Sequence, residues 1–365
     1  MRYPETKMAL VIPDIERLQP YEAGKPVEEL VREAGIADAI KLASNENPLG
    51  PSPRAIEAIR AAADQVSWYP DAAAYELREK LAARHGVAHD EVVHGNGSNE
   101  ILDLVVRTFC TSEHHVVFAD PSFVVYRLAS LAQGVPYTAV PLADWKHDLD
   151  AMAAAVTPRT RVVFVANPNN PTGTYVGRAQ VERFLRDVPP EVIVVMDEAY
   201  IEYADADDFP DSLQLRGLRE RLIVTRTFSK IYGLAALRVG YGIGPASLMQ
   251  YLLRVRQPFS VGSLAQRAAI AALDDDAHVR QSVELNRRER ERLAAALTEL
   301  GFPPPPSQAN FLFFDYGRPG RELYQQLLTK GVIVRPFGAT PFIRITVGTP
   351  AQNDRLLAAL REVTA

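Results

Sequence analysis

Short apolar runs recur through the middle of the chain, and each is continuous rather than alternating. HVVFAD (115–120), RVVFVANP (161–168), EVIVVMDEA (191–199) and RLIVTRTF (221–228) are rich in β-branched residues. A strand with one wet face alternates apolar and polar positions, whereas a strand covered on both faces does not, so these runs predict a parallel sheet buried on both sides. Between them the pattern lengthens to a helical period in SNEILDLVVRTF (98–109) and GRAQVERFLRDV (177–188). Repeated strand–helix–strand units of this kind predict an open α/β sheet.

The ends of the chain read differently. Residues 280–301 predict a charged helix, with Leu285, Leu293 and Leu297 at helical spacing and Gly301 as its stop. FPPPPSQ (302–308) then breaks the chain. ANFLFFDY (309–316), GVIVRPFG (331–338) and FIRITVG (342–348) predict strands around one helix, GRELYQQLLTK (320–330). The expected division is a large α/β domain over 51–275 and a smaller α+β domain over 276–365. The first 50 residues show little regular pattern and are expected to pack against the smaller domain.

Composition narrows the class. At 365 residues the chain exceeds a usual single domain, and 47% hydrophobic with 23% charged residues is an ordinary globular mixture. A net charge of −5 offers no footprint for nucleic acid or an anionic membrane. Cys110 is the only cysteine, which rules out an intrachain disulfide and points to a reducing compartment, the cytoplasm. MRYPETKMALVIPDIERLQP (1–20) lacks the unbroken apolar stretch of a signal peptide, and no apolar run reaches the roughly 18 residues of a membrane span.

In an open parallel sheet, ligands bind beyond the C-terminal strand ends, so polar residues there carry the chemistry. Gly95-Asn96-Gly97 precedes Ser98-Asn99 at a helix start, where small residues and free N–H groups suit a phosphate. Phe123 follows VVFAD, in position to cover an aromatic ligand or to pack in the core. NPNNPTG (167–173) leaves the next run as a rigid turn rich in side-chain amides. Asp197 ends VIVVM, a site where a carboxylate costs free energy unless it is paired, and Tyr200 lies three residues on. Lys230 ends TFSK (227–230), where desolvation lowers an amine's pKa and makes it a nucleophile. A strand-end lysine, a strand-end aspartate and a phosphate-suited turn together fit Schiff-base chemistry with pyridoxal phosphate.

These motifs, in this order, resemble the histidinol-phosphate aminotransferase family of the fold-type-I pyridoxal-phosphate aminotransferases. The likeness runs over essentially the whole chain, from LQPYEAGKP and KLASNENPLGPSP through NPNNPTG, DEAY and SKIYGLAALRVGY to VRQPFSVGSLAQ and FIRITVGT. It implies that Lys230 anchors the cofactor covalently and acts as general base, and that Asp197 pairs with the pyridinium nitrogen. It implies that Asn170 and Tyr200 bond the phenolic oxygen and that Phe123 stacks on the ring. Ser98, Asn99, Thr227, Ser229 and Arg238 are implied around the phosphate. Tyr69 is implied to reach the phosphate of a partner subunit, hence a homodimer. Tyr21, Asn45, Arg335 and Arg344 are implied at the substrate end. Two departures stand out: Phe123 where many members carry tyrosine, and Ala236 where glycine is common.

The resemblance implies transamination from histidinol phosphate to an oxo acid, 2-oxoglutarate, in histidine biosynthesis. Aromatic amino acids are the alternative donor, since an arginine pair accepts a carboxylate as well as a phosphate. A related threonine-phosphate decarboxylase shares most of the motifs. A nicotinamide or nucleotide enzyme would need a complete GxGxxG or GxxxxGK[ST], and neither occurs. A pyridoxal-dependent regulator would need a DNA-binding helix-turn-helix, and the first 50 residues offer none. No metal is expected: His85 and His89 are separated by a helix-breaking Gly86, and His114 and His115 are adjacent at a strand start.

Overall fold

The computed structural model describes residues 11, 13–18, 24–34, 36 and 38–364. Its twelve strands are, in chain order, β1 (Ile40–Lys41), β2 (Val92–Gly95), β3 (His115–Asp120), β4 (Tyr137–Pro141), β5 (Thr160–Ala166), β6 (Ile193–Asp197), β7 (Leu222–Thr227), β8 (Gly240–Ile243), β9 (Phe311–Asp315), β10 (Val332–Ile333), β11 (Arg335–Pro336) and β12 (Phe342–Thr346). Seven form one sheet in the order β2-β8-β7-β6-β5-β3-β4, with β8 alone antiparallel to its neighbours. The four continuous apolar runs are its β3, β5, β6 and β7. Val162, Val163, Phe164, Val194 and Val195 are wholly buried, and neighbouring positions on a strand feed separate core clusters on the two sheet faces. That explains the missing alternation, because full burial stabilises each such side chain by about 1.5–3 kcal/mol on either face.

The helices Gly97–Phe109 and Arg178–Asp187 match their sequence spans to within a residue. β8, within GYGIG (240–244), carries no strand signal because its glycines are disfavoured in strands. They are there for space. A Cβ on Gly240 would stand 2.3 Å from the Ser98 backbone nitrogen, and one on Gly242 would stand 3.1 Å from Ile101. The antiparallel strand thus lets the turn before helix Gly97–Phe109 lie against the sheet edge.

The second assembly is built from β9, β11 and β12, in the order β11-β12-β9. The charged helix begins at Asp276, four residues earlier than its leucine spacing suggests, because Asp275 caps it by accepting from the His278 N–H. Beside the helix Gly320–Thr329 lies a further one, Pro350–Thr364, that the sequence reading did not draw. β1 pairs in parallel with β10, so residues near 40 join the C-terminal elements. Among the described residues no helix is long and apolar enough to cross a membrane, and no cluster of His, Cys, Asp or Glu is arranged to hold a metal.

Candidate active site

A cavity of about 440 Å³ opens at the C-terminal edge of the large sheet, beyond β2, β5, β6 and β7. Its walls include Ser98, Asn99, Phe123, Asn170, Asp197, Tyr200, Thr227, Ser229, Lys230, Arg238, Asn45 and Arg344, so twelve of the fifteen residues singled out in the sequence converge there. Arg335 lines an adjoining cavity of about 350 Å³ that shares Phe123, Asn170 and Arg344 with the first. Tyr69 stands apart, 83% exposed and stacked on Phe259 with ring centroids 4.6 Å apart. Tyr21 lies outside the described residues.

Lys230 sits on the loop that leaves β7 and returns as β8. Gly233 N–H bonds the Lys230 carbonyl at 3.0 Å, and Phe228 N–H bonds the Val239 carbonyl at 3.1 Å, closing the loop at both levels. The Lys230 Nζ donates to the Ser44 carbonyl at 3.2 Å and lies 5.6 Å from the Tyr200 ring centroid. Burial, and after it the charge of Arg344, lowers its pKa to about 7. Around neutral pH a large fraction of this amine is therefore unprotonated and nucleophilic.

Asp197, the last residue of β6, is 4% exposed. Its Oδ2 accepts from the Tyr126 hydroxyl at 2.8 Å and its Oδ1 from the Thr225 hydroxyl at 3.2 Å. Burial raises its pKa to about 6, against the pull of the Tyr126 bond. A carboxylate this deep, served by hydroxyls, is suited to a cation from a ligand.

The third corner is built for an anion. Gly97 takes φ +73° at the first turn of its helix, and a Cβ there would meet the Arg238 guanidinium at 2.8 Å. Arg238 itself adopts φ +52°, a left-handed conformation that costs a non-glycine residue about 1–2 kcal/mol. Its Nη1 donates to Ser229 Oγ at 3.3 Å and to the Ala235 carbonyl at 3.0 Å. Thr227 Oγ1 caps the Ser229 N–H at 3.1 Å. Helix-start N–H groups, a guanidinium and two hydroxyls make a phosphate cradle. Phosphate cradle, buried carboxylate and low-pKa amine share one cavity, and that donor set fits pyridoxal phosphate.

The far end is set by the small sheet, where Arg335 and Arg344 face each other across the β11–β12 pair. Arg344 donates to Asn170 Oδ1 at 2.5 Å and to the Ala43 carbonyl at 2.8 Å. Asn45, at φ +56°, gives its side-chain N–H to the Tyr200 hydroxyl at 2.9 Å. Glu46 and Ser44 also line the cavity, although the sequence reading drew neither out. It also passed over Tyr126, on the helix Val125–Ala132 just after Phe123, whose ring meets Phe123 edge-on. His85 bonds the Tyr241 hydroxyl at 3.0 Å, and His115 lies within hydrogen-bonding distance of Thr138 and Thr160.

Comparison with known proteins gives a consistent picture. The sequence model for aminotransferase class I and II matches residues 37–360. A histidinol-phosphate aminotransferase of Moorella thermoacetica is 50% identical over 352 residues, 95% of this chain and 91% of the relative. Histidinol-phosphate aminotransferase 2 of Pseudomonas aeruginosa is 50% identical over 98% of each chain. The crystal structure of a Sinorhizobium meliloti histidinol-phosphate aminotransferase in complex with pyridoxal-5'-phosphate superposes with a TM-score of 0.89 at 30% identity, covering 98% of both chains. The aspartate aminotransferase of Thermus thermophilus shares the fold at a TM-score of 0.83 and 24% identity.

Proposed function

Because this chain belongs to the class I and II aminotransferases, we propose that it moves the amino group of histidinol phosphate to 2-oxoglutarate, with pyridoxal phosphate held around Lys230. One observation carries the proposal: a low-pKa lysine, a buried aspartate and an anion cradle line a single cavity that ends in Arg344. The named donor is supported by two relatives at 50% identity over nearly the whole chain.

When bound, the cofactor supplies a carbonyl carbon for the amine and a ring that withdraws electrons from the donor Cα. Ser98, Asn99, Thr227, Ser229 and Arg238 bind its phosphate. Asp197 holds a proton on the ring nitrogen, and its buried carboxylate gains the cation it lacks. Asn170 and Tyr200 orient the phenolic oxygen, and Phe123 covers one face of the ring. Lys230 Nζ would be the covalent anchor for the cofactor's carbonyl carbon. Lys230 Nζ, with its lowered pKa, would be the group that takes the donor Cα proton and gives a proton back, as general base and then acid. Arg335 and Arg344, with Asn45 and Tyr21, bind the donor phosphate in one half-reaction and the acceptor carboxylate in the other. The two halves alternate on one site, so the kinetics are ping-pong.

The enzyme is proposed to work as a cytoplasmic homodimer, with Tyr69 of one subunit serving the cavity of the other. Support comes from an exposed aromatic patch: Trp68 is 77%, Tyr69 83% and Phe259 42% exposed, a cluster that monomers seldom leave in water. The proposed division is a cofactor-binding part over 51–275 and a smaller part over 276–365, with the first 50 residues packed beside the smaller one. A half-reaction titration tests the donor. The visible band of the bound cofactor should fall on adding histidinol phosphate and return with 2-oxoglutarate. A fall with phenylalanine or threonine phosphate, and none with histidinol phosphate, would overturn the assignment.

A further inference from the structure

Tyr126 lies outside the cavity wall, wholly buried on the helix Val125–Ala132. Its hydroxyl donates to Asp197 Oδ2 at 2.8 Å. Its ring stacks on Phe164 at 4.7 Å with 7° between planes, and meets Phe123 edge-on at 5.9 Å and 86°. Ser130 Oγ donates to its carbonyl at 2.8 Å, which steadies the helix turn that carries it. We infer that Tyr126 is a positioning residue: its hydroxyl orients the Asp197 carboxylate towards the cofactor ring nitrogen, and its ring sets the Phe123 ring that covers the cofactor. The inference rests on the cofactor assignment made above.

The geometry is restrictive. Tyr126 holds Oδ2 while Thr225, on β7, holds Oδ1, so the carboxylate cannot turn about its last torsion without losing a bond. Other groups whose charge or hydrogen bonds bear on Asp197 or Tyr126 are the Ala199 N–H, the adjacent Glu198, Tyr200 and Lys230. Burial, then Asp197 itself, raises the Tyr126 phenol well above its ordinary pKa, so it stays protonated and acts as a donor. A donor to a carboxylate favours the ionised form, which is the form that pairs with a protonated ring nitrogen.

The test is Tyr126→Phe, which removes one oxygen and keeps the ring stack. The expected result is a fall in kcat of about tenfold, the worth of one hydrogen bond to a charged group, with the donor KM little changed. The pH titration of the cofactor's visible band should shift as well. In an Asp197→Asn background the same change should lose most of its effect, because coupled residues are not additive. An unchanged kcat and band titration in Tyr126→Phe, or an equal fractional loss in both backgrounds, overturns the inference. If Tyr126→Phe does not accumulate, Tyr126→Gln keeps an N–H donor without the ring. It should hold the band titration near wild type while weakening cofactor affinity, and wild-type affinity there overturns the ring's role. Wild-type protein that develops no visible band overturns the cofactor assignment itself, whereas a wild-type band with no response to either variant overturns this inference alone.

Discussion

Asp197 and Glu198 are neighbours in the chain, both buried, and their side chains serve opposite faces of one sheet. Glu198 meets a guanidinium: Arg226 donates to its Oε2 through Nε at 3.0 Å and Nη2 at 2.8 Å, and the Ser212 N–H reaches its Oε1 at 2.9 Å. Arg226 also bonds Asp211 at 2.6 Å. Asp197, on the cavity face, is held by the hydroxyls of Tyr126 and Thr225. One face carries a self-satisfied ion pair, which is structural. The other carries a carboxylate and an amine shifted in opposite directions, Asp197 up to about 6 and Lys230 down to about 7. Burial raises the Glu198 carboxyl as well, so the two faces differ in partners: a guanidinium on one, and on the other hydroxyls with a low-pKa amine in the same cleft, the arrangement in which a functional site is sought.

The sharpest break in this contrast is Lys230→Ala. It should lower transamination by about 10⁴-fold or more, since the proposed mechanism makes one amine both anchor and base. The thermal midpoint should hold or rise, because a poorly solvated amine is removed. Turnover set beside a melting curve checks it, and near-normal turnover would sink the lysine's role.

On the other face, Arg226→Met should do the reverse. It strands Glu198 without its cation and should destabilise the fold by about 3–5 kcal/mol, read from denaturant midpoints, while the folded fraction still transaminates. Arg344→Lys gives up the planar guanidinium while keeping the charge, and should raise the donor KM by about tenfold, the loss of one charged hydrogen bond.

A prediction of a different kind is a pH signature of the protein stripped of cofactor. Asp197 binds its proton more tightly folded than unfolded, so its contribution to stability declines as pH rises from about 4 to about 6. Lys230 binds its proton less tightly folded, so its contribution grows as pH rises from about 7 towards the 10.5 of a free lysine. Unfolding measured against pH should lose the first slope in Asp197→Asn and the second in Lys230→Met. Parallel curves for wild type and variants would show that burial does not set these groups.

How much of this was legible beforehand depends on the residue. Lys230, Asp197 and the turn at Gly97 could be read as a set, because strand ends in a parallel sheet converge on one edge and polar residues there are conspicuous against apolar runs. Strand β8 was illegible, since Gly240 and Gly242 answer to clearance against Ser98 and Ile101 rather than to strand propensity. Tyr126 was passed over, because what distinguishes it is a 2.8 Å bond to a residue 71 positions away.

By itself, the sequence determined the type of sheet, the family and a set of polar strand-end residues that the fold brings to one cavity, because burial periodicity and motif order are local properties of a chain. Only the tertiary structure decided which buried carboxylate meets a guanidinium and which meets hydroxyls at the cavity. Asp197 and Glu198 differ by one methylene and one position, yet their partners come from strands and helices far away in sequence. Strand alternation sends their side chains to different faces, and the free energy of a buried charge depends on what the fold brings within hydrogen-bonding distance.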